Sequence, residues 1–315
     1  MSDGATPRPA TVAVNLGGGA LVPQVQEVLG DGEVVVSIDD ERVRDAEILL
    51  VLSRDRETME PSAVPSVRWL HAFATGVDSY PLDVIGDRIF TCSRGANAVA
   101  IAEFVLATML AFVKRLPETW LTEAPENWGV AQLDVLAGRT VGLLGVGAIG
   151  TEVAKRAAAF DMRVVAYRRR AVAHEMSQIE LLPTLQDLLG ASDHLVIAAP
   201  ATPDTHHIIN ATTLAAAKPG MHLVNIARGS LVDQDALLAA LDDGRVACAS
   251  LDTVDPEPLP ADHPFYAHPK VRLSAHVSWS APDNLGPTLA LFAENVRRYR
   301  AGEPLHGLVD VDAGY

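Results

Sequence analysis

The chain has 315 residues, enough for two domains that each bury a core, and it is 49% apolar and 21% charged, an ordinary globular balance. A net charge of −15 spread along the sequence argues against nucleic acid or an anionic membrane as partner, and leaves local arginines to attract any anionic ligand. The two cysteines, Cys92 and Cys248, form no CxxC pair and no His/Cys cluster at metal spacing, so free thiols and no bound metal are expected.

The start, MSDGATPRPA, is polar and carries no apolar signal-peptide core. Residues 11–15 and 33–38 are β-rich. Residues 47–52 (EILLVL) form a continuous apolar run, the pattern of a strand buried on both faces. Strands at 67–73 and 89–92 follow, and this spacing predicts a parallel sheet with crossover helices. Residues 97–116 predict one long helix, apolar nearly all round, which fits either a core or a subunit interface. Its apolar stretch is broken by Glu103 and too short to span a bilayer, so a cytoplasmic protein is expected.

After a break holding Pro117, Pro125 and Trp128, a second alternating region begins. Its predicted strands are 140–144, 163–167, 194–198, 222–225, 247–251 and 271–273, with helices between them such as 150–160 and 234–241. That succession is what a doubly wound dinucleotide-binding domain requires. A last helix at 285–300 returns to the first domain. The expected fold class is α/β, with two Rossmann-like doubly wound parallel-sheet domains. Their boundaries fall at 1–95 plus 285–315 for the substrate domain and 96–284 for the dinucleotide-binding domain.

The sharpest local signal is GLLGVGAIG, in which Gly145, Gly147 and Gly150 have G-x-G-x-x-G spacing between a strand and a helix. The first glycine permits the tight turn, the second lets the backbone approach a pyrophosphate, and the third lets helix and strand pack closely. The phosphates then meet the helix N-terminus, where N–H groups and the dipole favour anions. The next strand ends in Tyr167–Arg168–Arg169–Arg170 rather than in the acidic residue that holds a ribose 2′-hydroxyl. Guanidinium groups suit a 2′-phosphate, so NADP(H) is expected over NAD(H), which stays as the alternative.

Three later segments carry ionisable groups at the C-terminal ends of predicted strands, where open parallel sheets bind ligands. Arg228 can hold a 2-keto acid carboxylate in a fork. His276 can give a proton to the carbonyl oxygen during reduction and take it back during oxidation. Glu257, hydrogen-bonded to the ring, would orient His276 and favour its protonated form.

These segments resemble the D-isomer-specific 2-hydroxyacid dehydrogenase family, whose members include glyoxylate/hydroxypyruvate reductases and phosphoglycerate dehydrogenases. NIARGSLVDQDAL resembles the family's arginine motif, LDTVDPEPLP its glutamate motif and SAHVSWS its histidine motif, although Ala275 stands where the family usually has proline. Further matches are LHAFATGVDSY (70–80), RGANAVAIAEF (94–104) and APATPDTHHIIN (199–210), so the likeness covers most of residues 45–300.

The resemblance implies a flavodoxin-like, discontinuous substrate domain and a homodimer formed through the cofactor domain. It assigns Arg228, Glu257 and His276 to catalysis. It adds Thr75 and Gly76, with Arg228 and Trp279, to the substrate, a 2-keto or D-2-hydroxy acid such as glyoxylate or hydroxypyruvate. It places Gly145, Gly147, Ala148, Ile149, Arg168, Arg169, Pro200, Thr205, Ala227, Asp252 and His276 along the cofactor. Trp279 stands where many relatives have a small residue, which bears on the substrate side chain. Arg54 and Arg56 are read as a strand-end charge cluster with Asp55, and His206 and His207 as structural or solvent-facing. Two alternatives belong beside this reading: a dinucleotide-sensing corepressor-like binding protein, and a dehydrogenase acting on phosphite.

Overall fold

The computed structural model describes residues 10–16, 19–52, 56–169 and 176–315, and Arg54, Asp55 and Arg170 lie outside the described residues. The chain divides into two units, residues 1–97 with 282–315, and residues 98–281.

The first unit opens with β1 (Thr11–Asn15), α1 (Val22–Leu29), β2 (Val34–Ser37), β3 (Ile48–Val51), α2 (Arg56–Met59), β4 (Trp69–Ala72) and β5 (Ile89–Cys92). Its strands are parallel in the order β2-β1-β3-β4-β5, the flavodoxin-like arrangement. Every residue of β3 and of β4 is buried, which for β3 explains the unbroken apolar run rather than an alternating one.

The second unit follows with α3 (Ala98–Val113), β6 (Thr140–Leu144), α4 (Ala148–Ala158), β7 (Arg163–Tyr167), β8 (Ile179–Leu181), α5 (Leu185–Ala191), β9 (His194–Ile197), α6 (Ala211–Leu214), β10 (Met221–Asn225), α7 (Gln234–Asp242), β11 (Val246–Leu251) and β12 (Val271–Leu273). The sheet is parallel in the order β12-β11-β10-β9-β6-β7-β8. Strand order therefore reverses between β6 and β9, the switch point at which doubly wound sheets bind ligands. The sequence pattern misses β8, whose three residues on the sheet edge are too few to show a period.

Within this unit α3 presents Ile101, Val105, Met109 and Val113 to Val141, Leu143, Val153 and Ala157, so this face of the long apolar helix is core. The chain then returns to the first unit as α8 (Gly286–Ala301), whose Leu289, Phe292 and Val296 pack on Val12, Val14, Ile48 and Trp69.

Candidate active site

The turn after β6 is built from glycines with two different physical reasons. Gly145 has φ +96°, and a Cβ there would lie 2.9 Å from the Ala199 backbone; one on Gly150 would lie 2.6 Å from the Gly145 carbonyl oxygen. These two serve the protein's own packing. Gly147 does not: its φ of −95° admits any residue, and an added Cβ meets nothing within 4 Å. Gly147 is the N-cap of α4, no side chain caps that helix, and Ala148 and Ile149 are its first residues. The geometry fits a dinucleotide, because the first-turn amides face space that a pyrophosphate fills and a side chain at Gly147 would obstruct.

Beyond β7 stand Arg168 and Arg169, the residues expected to read the cofactor's ribose. Arg169 Nη1 lies 3.0 Å from Asp204 Oδ2, with both side chains more than half exposed. Asp204 stands on a short turn after β9 that Thr205 shapes: its hydroxyl donates to the Pro200 carbonyl at 2.8 Å and accepts the Thr202 amide at 2.8 Å. Thr205 and Pro200, expected along the cofactor, are thus joined to each other. His206 and His207 stack in the same loop with ring centroids 4.0 Å apart.

At the C-terminal end of β10, Asn225 organises the arginine loop. Its Oδ1 accepts the Ala227 amide at 3.1 Å and its Nδ2 donates to the Arg228 carbonyl at 2.9 Å. Arg228 Nη1 donates to the Ala227 carbonyl at 2.7 Å. A Cβ on Gly229 would fall 1.9 Å from the Val254 carbonyl carbon, so glycine is required for this loop to touch the one after β11. Gln234 Oε1, on α7, reaches the Asp255 amide at 3.3 Å and ties the same two loops together.

The loop after β11 carries Asp252 and Glu257, and the loop after β12 carries His276. Glu257 Oε2 lies 2.9 Å from His276 Nδ1, and its Oε1 accepts the Val254 amide at 3.2 Å. The two side chains are 38% and 39% exposed, so this contact adds little to stability and its geometry calls for a chemical explanation. His276 has φ +55°, the sparsely populated left-handed region, where strain often marks a functional position. Two hydrogen bonds hold it there: its amide donates to the Asp252 carbonyl at 2.9 Å, and Trp279 Nε1 donates to the His276 carbonyl at 2.8 Å.

Asp252 is 2% exposed, and its carboxylate faces the histidine loop. Oδ1 accepts the Ser274 hydroxyl at 2.6 Å and the Val277 amide at 2.9 Å, and Oδ2 accepts the Ser278 amide at 2.9 Å. Burial opposes the charge, but the hydrogen bonds from Ser274, Ser278 and Val277 outweigh it and hold the carboxyl below its usual range. Sequence reasoning placed Asp252 by the cofactor and gave Ser274 and Asn225 no task. Their polar identity at strand ends was the available signal.

In the first unit, Thr75 and Gly76 follow β4 in a partly exposed turn, and Thr75 Oγ1 donates to the Ser93 carbonyl at 3.2 Å. Arg56 pairs with Glu60 at 3.2 Å and with Asp83.

The family model for the D-isomer specific 2-hydroxyacid dehydrogenase NAD binding domain matches residues 106–278. A glyoxylate reductase of Korarchaeum cryptofilum is 32% identical over 282 residues, covering 86% of this chain and 84% of that protein. A D-3-phosphoglycerate dehydrogenase of Methanocaldococcus jannaschii is 28% identical over 300 residues; the match takes in 91% of this chain but 57% of that longer protein. A solved D-isomer specific 2-hydroxyacid dehydrogenase from Xanthobacter autotrophicus Py2, in complex with NADPH and MES, superposes with a TM-score of 0.85 at 26% identity. It covers 98% of this chain and 100% of that one.

Proposed function

Because the chain belongs to the D-isomer specific 2-hydroxyacid dehydrogenase family, we propose that it transfers a hydride between NADP(H) and a 2-keto or D-2-hydroxy acid. The observation that carries this reading is the 2.9 Å contact between Glu257 Oε2 and His276 Nδ1 on loops following adjacent strands. The reduced nicotinamide, when bound, supplies the hydride. Glu257 accepts Nδ1–H and fixes the tautomer, so His276 presents Nε2 for proton transfer to the carbonyl oxygen. The carboxylate of Glu257 also stabilises the imidazolium that serves as the acid.

Arg228 holds the substrate carboxylate: a guanidinium has five N–H donors, enough to form a fork while keeping its contact with Ala227. Thr75 and Gly76 are assigned to substrate binding through backbone amides. Gly147, Ala148 and Ile149 take the pyrophosphate, with Gly145 shaping the turn, and Ala227 and Asp252 lie along the nicotinamide side. Arg168 and Arg169 read the 2′-phosphate, which favours NADP(H) over NAD(H). Trp279 limits the acyl side chain, so small acids such as glyoxylate and hydroxypyruvate are the first substrates to try.

The same reading includes a cytoplasmic homodimer. Trp120, Trp128 and Val130 are 68%, 81% and 73% exposed in the segment between α3 and β6, an apolar surface of the kind a second copy covers.

The experiment is oxidation of NADPH and of NADH, followed by absorbance, with a panel running from glyoxylate to phenylpyruvate. Rapid turnover of one acid with NADPH supports the reading. Tight NADPH binding without turnover of any acid would replace it with a dinucleotide-sensing binding protein.

A further inference from the structure

Beneath the turn that carries Thr75 and Gly76 lies a chain of buried polar side chains that the reaction does not use. Trp69, His71 and Thr91 are fully buried and Ser93 is 1% exposed. Trp69 Nε1 donates to Thr91 Oγ1 at 2.8 Å, and Thr91 Oγ1 lies 2.6 Å from His71 Nδ1. His71 Nε2 lies 3.1 Å from Ser93 Oγ, which donates to the Ala72 carbonyl at 3.3 Å.

Donor counting gives this chain one direction. The indole N–H can only donate, so Thr91 accepts it and passes its own hydrogen to His71 Nδ1. Ser93 gives its hydrogen to the Ala72 carbonyl and so accepts from His71 Nε2–H. Both ends therefore require the same neutral tautomer, and every member is satisfied. Burial supports it by pushing the His71 pKa down to about 3.

The chain ends on the turn itself. The Ser93 amide donates to the carbonyls of Ala72 and Ala74, each at 3.1 Å, and the Ser93 carbonyl accepts the Thr75 hydroxyl. Ser93 thus grips Ala72, Ala74 and Thr75, while its own side chain is aimed by His71. We propose that His71 and Ser93 form a positioning relay that sets the 73–76 turn for binding the substrate carboxylate. The proposal rests on the assignment of Thr75 and Gly76 to substrate binding. His71 acts through Ser93 and touches neither substrate nor cofactor.

The test is steady-state kinetics on Ser93→Ala, His71→Phe and His71→Gln, with oxalate as a carboxylate inhibitor and NADPH affinity measured separately. Ser93→Ala deletes a single hydroxyl and keeps the test available if His71→Phe fails to fold. For Ser93→Ala, KM for the 2-keto acid and Ki for oxalate are expected to rise about three- to tenfold, the scale of one hydrogen bond. Its kcat and NADPH affinity should stay within about twofold. His71→Gln, which keeps a donor and an acceptor, should recover part of what His71→Phe loses. Unchanged KM and Ki in Ser93→Ala, with only the melting temperature lowered, would overturn the relay and leave the reaction assignment standing. A wild-type protein that reduces no 2-keto acid would overturn both.

Discussion

The Ser274 hydroxyl donates to Asp252 Oδ1 at 2.6 Å, joining the end of β12 to the end of β11 just before the left-handed turn at His276. With the Val277 and Ser278 amides on the same carboxylate, Asp252 serves as the peg around which the histidine loop is wound. Asp252→Asn keeps the shape but replaces an anionic acceptor with a neutral group that has only one acceptor oxygen. The expected result is a loss of about 1–3 kcal/mol in stability, read in urea melts. We also expect kcat to fall about 10–100-fold as His276 loses its setting. Because the Asp252 carboxyl is held below its usual range, its contribution is present above that range and lost as pH falls through the folded value.

Arg169 and Asp204 form an exposed ion pair at the expected 2′-phosphate position. Such a pair contributes about 0–1 kcal/mol, so a phosphate can displace it at small cost. Asp204→Asn should tighten NADPH binding by up to about fivefold and leave NADH almost unchanged. Arg169→Ala should weaken NADPH selectively. Equal effects on the two cofactors, measured by fluorescence titration, would remove the arginines from cofactor discrimination.

Trp128, the more exposed of the two tryptophans between α3 and β6, offers a direct test of the homodimer. Trp128→Ser should shift sedimentation toward the monomer at micromolar concentration, because large aromatic anchors dominate interface energetics. A wild-type chain that sediments as a monomer would remove the second copy from the account.

Much of this site was legible in the sequence, for reasons that are local. The strand, glycine turn and helix around Gly145–Gly147–Gly150 are contiguous, so spacing alone carried them. Arg228, Glu257 and His276 each lie in a loop that follows a predicted strand. Apart from the Glu257–His276 pair, the contacts made across the sheet could not be read. Ser274 meets Asp252 from 22 positions away, and Arg169 meets Asp204 from 35 positions away. Trp279, expected at the substrate, also donates its indole N–H to the His276 carbonyl, a contact that no residue pattern announces. The His71 relay was equally hidden, because a buried histidine in a strand looks like any other core position.

Among the described residues, three histidines buried in the neutral form give the fold an acid limit. Burial pushes His71 down to about 3 and His194 to about 4, and burial above all, with the nearby Arg272 charge, holds His222 well below its ordinary range. In the unfolded chain each titrates near about 6.5. Between that value and the folded values the unfolded state binds more protons, so stability is complete above about pH 6.5 and falls as pH drops. Each histidine contributes a slope of up to about 1.4 kcal/mol per pH unit in that window. Urea midpoints from about pH 7.5 to about pH 5 should therefore decline, and a midpoint flat across this range would contradict neutral burial.

The central claim is that His276, oriented by Glu257, moves the proton that accompanies hydride transfer. The most direct measurement is kcat with NADPH and the best 2-keto acid for wild type, His276→Ala and Glu257→Gln, beside NADPH affinity for all three. The account predicts that kcat falls about 10²–10⁴-fold in His276→Ala and by a smaller factor in Glu257→Gln, with NADPH affinity nearly constant. Turnover by His276→Ala within a few-fold of wild type would contradict it.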